Sequence, residues 1–247
     1  MSSKPTEVIA VILHHHVQAG HEEQVLHHGS GKPVLVIGNR ESFVNINSMD
    51  TICARGAAAA AEPLWQARSG GFFVLGAPHP DEQNTKRNGH GNGFGPRRLT
   101  AIPQTLNRHG ITIPPNQCID CERTLEGGRE AAWRLLDREF QTAPPTPECG
   151  ILCLSDTIAI GALHELMEHG IRIPEHAKLM GFDGIPFSEC TNPAISTVAM
   201  DVPAMTRTVI DRMVDMIGSA ARHELLPNAM HDHIRFQVIP RTSSANI

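Results

Sequence analysis

Two aspartates stand where apolar segments end. The run Gly150-Ile151-Leu152-Cys153-Leu154 closes on Ser155-Asp156, and Lys178-Leu179-Met180-Gly181-Phe182 closes on Asp183-Gly184. A short apolar run bounded by polar or glycine residues reads as a buried strand, and a helical pattern follows the first run at once. In an open parallel sheet, small ligands bind outside the carboxyl ends of strands. Both carboxylates therefore stand where a ligand would be met. A carboxylate so placed can accept hydrogen bonds from two adjacent hydroxyls. Asp183 reads as that acceptor, or as the residue that shapes its loop. Asp156 reads as an N-cap or first-turn acid, or as a second ligand contact. The Ser155 hydroxyl beside it can donate to the same ligand.

The elements that must hold these groups alternate along the chain. Strands are expected at residues 8–13, 33–37, 43–46, 72–75, 118–121, 151–154, 179–182, 196–200 and 234–239. Helices are expected at 49–66, 97–109, 126–140, 157–169 and 203–219. An alanine run at 57–61 favours the first helix, and Pro63 should kink or break it near its end. Gly110 and Gly170 stand where helices commonly close. Met205, Val209, Met213 and Met216 share one side of the last helix. Such alternation implies βαβ units and a mostly parallel sheet. Segments 77–95 and 141–148 read as loops.

Composition narrows the functional classes. The 247 residues carry a net charge of -5, with 40% hydrophobic and 19% charged residues, as in an ordinary globular protein. Domains that bind nucleic acid by themselves are usually basic, so specific DNA binding by this chain alone is not expected. No apolar run approaches the ~18 residues of a membrane span. The N-terminus shows no signal-peptide pattern, and a cytoplasmic location is expected. The six cysteines then read as reduced thiols. Cys118-x-x-Cys121 resembles a metal or redox pair, but positions three apart on a strand point to opposite faces. Cys149 and Cys153 share a face yet lie too far apart to chelate together.

The 15 histidines cluster at His14-His15-His16, His21 and His27-His28. They could bind zinc or nickel, but no cysteine or acid stands at a zinc spacing, and a polar surface is the plainer reading. The glycine-rich stretch 89–95 matches neither nucleotide fingerprint. No nucleophile elbow, paired catalytic carboxylates or Cys/His signature is present. Neither an enzyme nor a cofactor or metal is expected.

From about Glu7 to Arg241 the chain resembles the effector-binding domain of LacI/GalR-type transcriptional regulators. The match is densest over 150–219. It runs through Ser155-Asp156, Gly161-Ala162-Leu163, His169-Gly170-Ile171-Arg172-Ile173-Pro174-Glu175, Gly181-Phe182-Asp183 and Asn192-Pro193-Ala194-Ile195-Ser196-Thr197-Val198. Gly31-Lys32-Pro33-Val34-Leu35-Val36-Ile37-Gly38 and Arg98-Leu99 extend it. The resemblance implies an α/β fold of two periplasmic-binding-protein-like subdomains. One would comprise 1–69 and about 200–231, and the other 70–199 and about 232–247. It also implies a homodimer, with a cleft that closes on a small effector, most often a sugar, to control operator binding.

Asp183 matches the family's effector-binding aspartate, and Arg98 its sugar- or purine-binding arginine, a guanidinium with donors in a fixed fork. Arg123, after the 118–121 strand, and Asn47 take further cleft-facing positions. The family's helix-turn-helix and first two βα units have no counterpart here, so the N-terminal subdomain is expected to be incomplete. The pattern is broken at two places: the family's Asp-Asn pair reads Asn47-Ser48, and its usual asparagine reads Ser155. A transporter's solute-binding protein and a decayed regulator are the rival readings.

Overall fold

Residues of alternating side along each strand divide their burial between two faces, and this pattern organises the computed structural model. It describes residues 11–14, 32–38, 46–50, 54–65, 71–76, 107, 113–140, 149–222 and 229–245. In chain order the elements are β1 (Val11–His14), β2 (Val34–Gly38), β3 (Asn47–Asp50), α1 (Ala54–Trp65), β4 (Phe72–Leu75), β5 (Cys118–Ile119) and α2 (Leu125–Glu139). Then follow β6 (Cys149–Cys153), α3 (Asp156–Glu168), β7 (Ala177–Asp183), β8 (Ser196–Met200), α4 (Val202–Ala221), β9 (His231–His233) and β10 (Phe236–Ile239).

These elements form two compact units, one of Met1–Cys53 with Asp201–Arg235 and one of Ala54–Met200 with Phe236–Ile247. The first contains a parallel sheet in the order β1-β2-β3-β9. Leu35 and Met49 on this sheet pack against Val209, Met213 and Met216 of α4, the side of that helix expected to be apolar.

The second unit contains a sheet in the order β10-β8-β7-β6-β4-β5, parallel except for β10 against β8. Phe73, Leu75, Ile151, Cys153 and Leu179 pack on one face with Leu135 of α2 and Ile158 and Leu166 of α3. Phe72, Val74, Leu152, Met180 and Phe182 face the other way, onto Ala60, Ala61 and Leu64 of α1. A sheet covered on both faces wants continuous apolar strands, as Phe72–Leu75 supplies with all four residues buried. The helices α2 and α3 press together where each carries a glycine. A β-carbon on Gly128 would run into the Ile158 carbonyl, and one on Gly161 into the Leu125 carbonyl.

The chain's last described segment fastens this unit. Ser243 Oγ donates to the Leu179 carbonyl (2.6 Å) and accepts from the Ser196 amide (2.8 Å).

Three expectations change. Met49 and Asp50 belong to strand β3, not to a helix starting at 49. Residues 47–50 pair with β2, residues 48–50 also pair with β9, and Met49 is drawn into the core. Of the strand expected at 43–46, only Ile46 is described, and it lies in a bend. The strand expected at 234–239 is β10, starting at Phe236, and it is preceded by a strand that was not expected, β9 at His231–His233, in the other sheet. Helix α1 passes Pro63 and ends at Trp65. The expected helix 97–109 lies outside the described residues apart from Asn107.

Candidate ligand site

The second unit gathers polar residues where its parallel strands end. Asp183 is the last residue of β7, with a φ of 113°. Its Oδ2 accepts a hydrogen bond from Arg123 Nη2 at 2.8 Å. Arg123 follows β5, and β4 and β6 lie between β5 and β7 in the sheet. The pair thus spans the carboxyl edge of four neighbouring strands. The side chains are 36% and 17% exposed, so a ligand arriving from solvent could reach both.

Ser155 and Asp156 stand between them in the sheet, just past β6. Ser155 is buried and caps α3, its Oγ accepting from the Ile158 amide at 3.2 Å. Asp156, the first residue of the helix, has no exposed surface. Its Oδ1 accepts from Thr197 Oγ1 at 2.6 Å and its Oδ2 from the Ile185 amide at 2.8 Å. Burial raises its pKa above the ordinary aspartate value, and the nearby Asp183 charge adds to this. The hydrogen bonds from Thr197, Ile185 and Gly184 pull the other way. Gly181 makes this position possible, because a β-carbon there would overlap Asp156 Oδ1.

Arg123, Ser155, Asp156 and Asp183 therefore converge on one edge of one sheet. Asn47 lies elsewhere, at the start of β3 rather than past a strand's end. It is 6% exposed, and its Oδ1 accepts from Arg212 Nε (2.9 Å) and the Met230 amide (3.0 Å). Arg98 lies outside the described residues.

Two features escaped the sequence reading. Thr197, buried in β8, supplies a hydroxyl to Asp156. In the first unit, a cavity of about 460 Å³ opens beside Met49, Met205, Thr208, Asp211, Asp232 and Arg235. It lies at the carboxyl ends of β3 and β9, under the first turns of α4. The signal for it was the Met49-Asp50 strand end, which a helical reading of those residues hid.

The strand expected at 118–121 ends at Ile119, so Cys121 lies beyond it, yet the two thiols still fall on opposite sides of the sheet. Cys118 packs against the α1 side of the sheet and Cys121 against the α2–α3 side. Burial pushes the Cys121 thiol up to about 11. Among the described residues, no three His, Cys, Asp or Glu side chains converge as a metal site requires, and none of the helices is long and apolar enough to cross a membrane. Residues 15–31 and 77–100, with most of the clustered histidines and the glycine-rich stretch, lie outside the described residues.

Comparison with known proteins agrees with this architecture. Residues 84–244 match the periplasmic binding protein-like domain. The HTH-type transcriptional repressor CytR of Escherichia coli (strain K12) is 30% identical over 130 residues, covering 51% of this chain and 36% of that protein. The matching region thus spans about a third of that curated relative's length. A LacI family transcriptional regulator from Arthrobacter sp. FB24 in complex with lactose superposes with a TM-score of 0.75 at 24% identity, covering 97% of this chain and 80% of that one. The transcriptional regulator CelR–cellobiose complex gives a TM-score of 0.77 at 19% identity, covering 97% and 67%.

Proposed function

Because the chain belongs to the periplasmic binding protein-like domain family, and resembles its LacI/GalR-type regulators, we propose that it is the ligand-sensing core of such a regulator, with a sugar as effector. The observation that carries this reading is the Arg123–Asp183 pair over the carboxyl edge of the sheet. It sets a donor and an acceptor side by side. One hydroxyl of a vicinal diol would donate to Asp183 while its neighbour accepts from Arg123. The lactose and cellobiose named for two structures of the same fold are ligands of that chemistry.

The output is control of operator DNA by the whole regulator in the cytoplasm, through a helix-turn-helix segment. An effector acts there by binding two conformational states unequally. A homodimer is part of the proposal. No covalent chemistry is assigned to the chain.

The test is a thermal melt of the purified protein with lactose, cellobiose, sugar phosphates and nucleobases. A ligand at 100-fold over its Kd adds about 2.7 kcal/mol, a midpoint rise on the order of 5–10 °C at this size. A shift with a neutral sugar supports the reading. A shift confined to nucleobases, or none with any of them, refutes it.

A further inference from the structure

Asp183 adopts a backbone conformation that a non-glycine residue rarely takes, with φ at 113°, and Gly184 follows at 75°. Such a turn persists only when its surroundings over-determine it. The two amides that follow Asp183 are both held. Gly184 donates to Thr197 Oγ1 at 3.3 Å, and Ile185 donates to Asp156 Oδ2 at 2.8 Å. Thr197 in turn donates to Asp156 Oδ1 at 2.6 Å. One buried carboxylate therefore stands behind both restraints on the turn.

We propose that Asp156 is a positioning residue of the effector site: with Thr197 and the Gly184 and Ile185 amides, it holds the Asp183 turn so that the Asp183 carboxylate meets Arg123 and the effector's hydroxyls. The inference rests on the sugar-sensing reading above. It separates two roles that two neighbouring carboxylates could share. Asp183 touches the ligand, and Asp156 never does. The ionised carboxylate accepts on both oxygens with charge-assisted hydrogen bonds, whereas a protonated one turns a donor outward on one of them, so the hold on the turn weakens when Asp156 takes up a proton.

The titratable groups facing Asp156 are Asp183 at the end of β7 and Cys153 in β6. Burial raises the Cys153 thiol well above its ordinary value, so it stays neutral. Burial, with the Asp183 charge, moves the Asp156 titration above the ordinary aspartate value against the pull of the Thr197, Ile185 and Gly184 hydrogen bonds.

The experiment compares the full chain with Asp156→Asn, Thr197→Val and Thr197→Ser. Binding of lactose and of cellobiose is measured by calorimetry, and the Asp183, Gly184 and Ile185 amides are followed by NMR as pH is lowered. Asp156→Asn keeps the shape but removes the charge and replaces one of the two accepting oxygens, the one facing the Thr197 hydroxyl, by a donor. Its sugar affinity should fall about ten- to a hundredfold, the effect of a lost charge-assisted hydrogen bond, in a protein that still melts cooperatively. Thr197→Val should weaken binding, and Thr197→Ser should restore it. The three amides should share one titration in the wild type and lose it in Asp156→Asn.

Wild-type affinity in a folded Asp156→Asn protein would overturn the proposal. So would amides that do not titrate together. If Asp156→Asn does not fold, the two Thr197 variants decide, and equal affinity in both sinks the idea. Should the wild type bind neither sugar, the sugar-sensing reading falls, while the ligand-free titration still tests whether Asp156 governs the turn.

Discussion

Arg123 and Asp183 lie 60 residues apart in the chain and 2.8 Å apart in space. Their strands are not neighbours, so the contact reaches over the ends of two others. It forms because the chain leaves β5 and β7 on the same edge of one parallel sheet. The residues between, Ser155 and Asp156, leave β6 on that edge too.

Removing either partner should weaken effector binding more than stability. Arg123→Ala and Asp183→Asn are each expected to reduce sugar affinity about tenfold or more, as loss of a hydrogen bond to a charged group would. Arg123→Lys should recover only part of it, since an ammonium lacks the planar fork. Calorimetric titration with lactose or cellobiose checks both statements, and wild-type affinity in either charge-removing variant contradicts them.

Gly181→Ala should destabilise the second unit. Its methyl would enter the space of Asp156 Oδ1, and overpacking of this kind costs about 1–3 kcal/mol. Gly170→Ala makes a useful contrast. Nothing lies within 4 Å of that position, and only its φ of 77° resists the change. Chemical denaturation should rank Gly181→Ala as the more damaging of the two.

Stability should also depend on the protonation of Asp156. Its pKa is raised in the folded state. Below the ordinary aspartate range, about pH 4, both states hold the proton and this group adds no slope. Between that range and the raised folded value, the folded state keeps a proton that the unfolded chain has released. Stability therefore falls as pH rises through this window and levels off above it. Asp156→Asn should flatten that segment of a stability–pH curve measured with urea. The ionised form that best holds the Asp183 turn is thus the form that stabilises the fold least.

Core and surface substitutions on α2 should separate sharply. Leu135 has no exposed surface and packs among Leu75, Ile151 and Leu166, so Leu135→Ala is expected to cost about 2–5 kcal/mol. Trp133, two residues earlier, is 51% exposed, and Trp133→Ala should stay within about 0.5 kcal/mol. A thermal melt of each variant measures the difference.

Much of the second unit was readable from residue order alone. Strands such as 151–154 and 179–182 are apolar enough to be buried on both faces, and Ser155 and Asp183 mark their ends with polar groups. The first unit gave weaker signals. Asn47–Asp50 contains no β-branched or aromatic residue, and it is a strand because β2 and β9 flank it. Local propensity yields there to pairing. Asp156 illustrates a second limit. A short motif shows that an acid opens a helix, but not that Thr197 and Ile185 will occupy both of its oxygens. Those partners come from β8 and from the turn after β7, beyond the reach of any local pattern.

The pairing of β8 with β10 has a practical consequence for taking the molecule apart. Met200 and Phe236 are direct cross-strand partners on antiparallel strands, and the Asp201 amide donates to the Arg235 carbonyl at 2.9 Å. Seen from the second unit, residues 201–235 are an insertion at the tip of a hairpin. A two-residue Asn-Gly loop, whose twist suits antiparallel strands, could replace the insertion. The minimised chain would run 54–200, Asn-Gly, 236–247. It would retain every strand of the six-stranded sheet, the Ser243 fastening, and Arg123, Asp156, Asp183 and Thr197 in a single graft-sized domain.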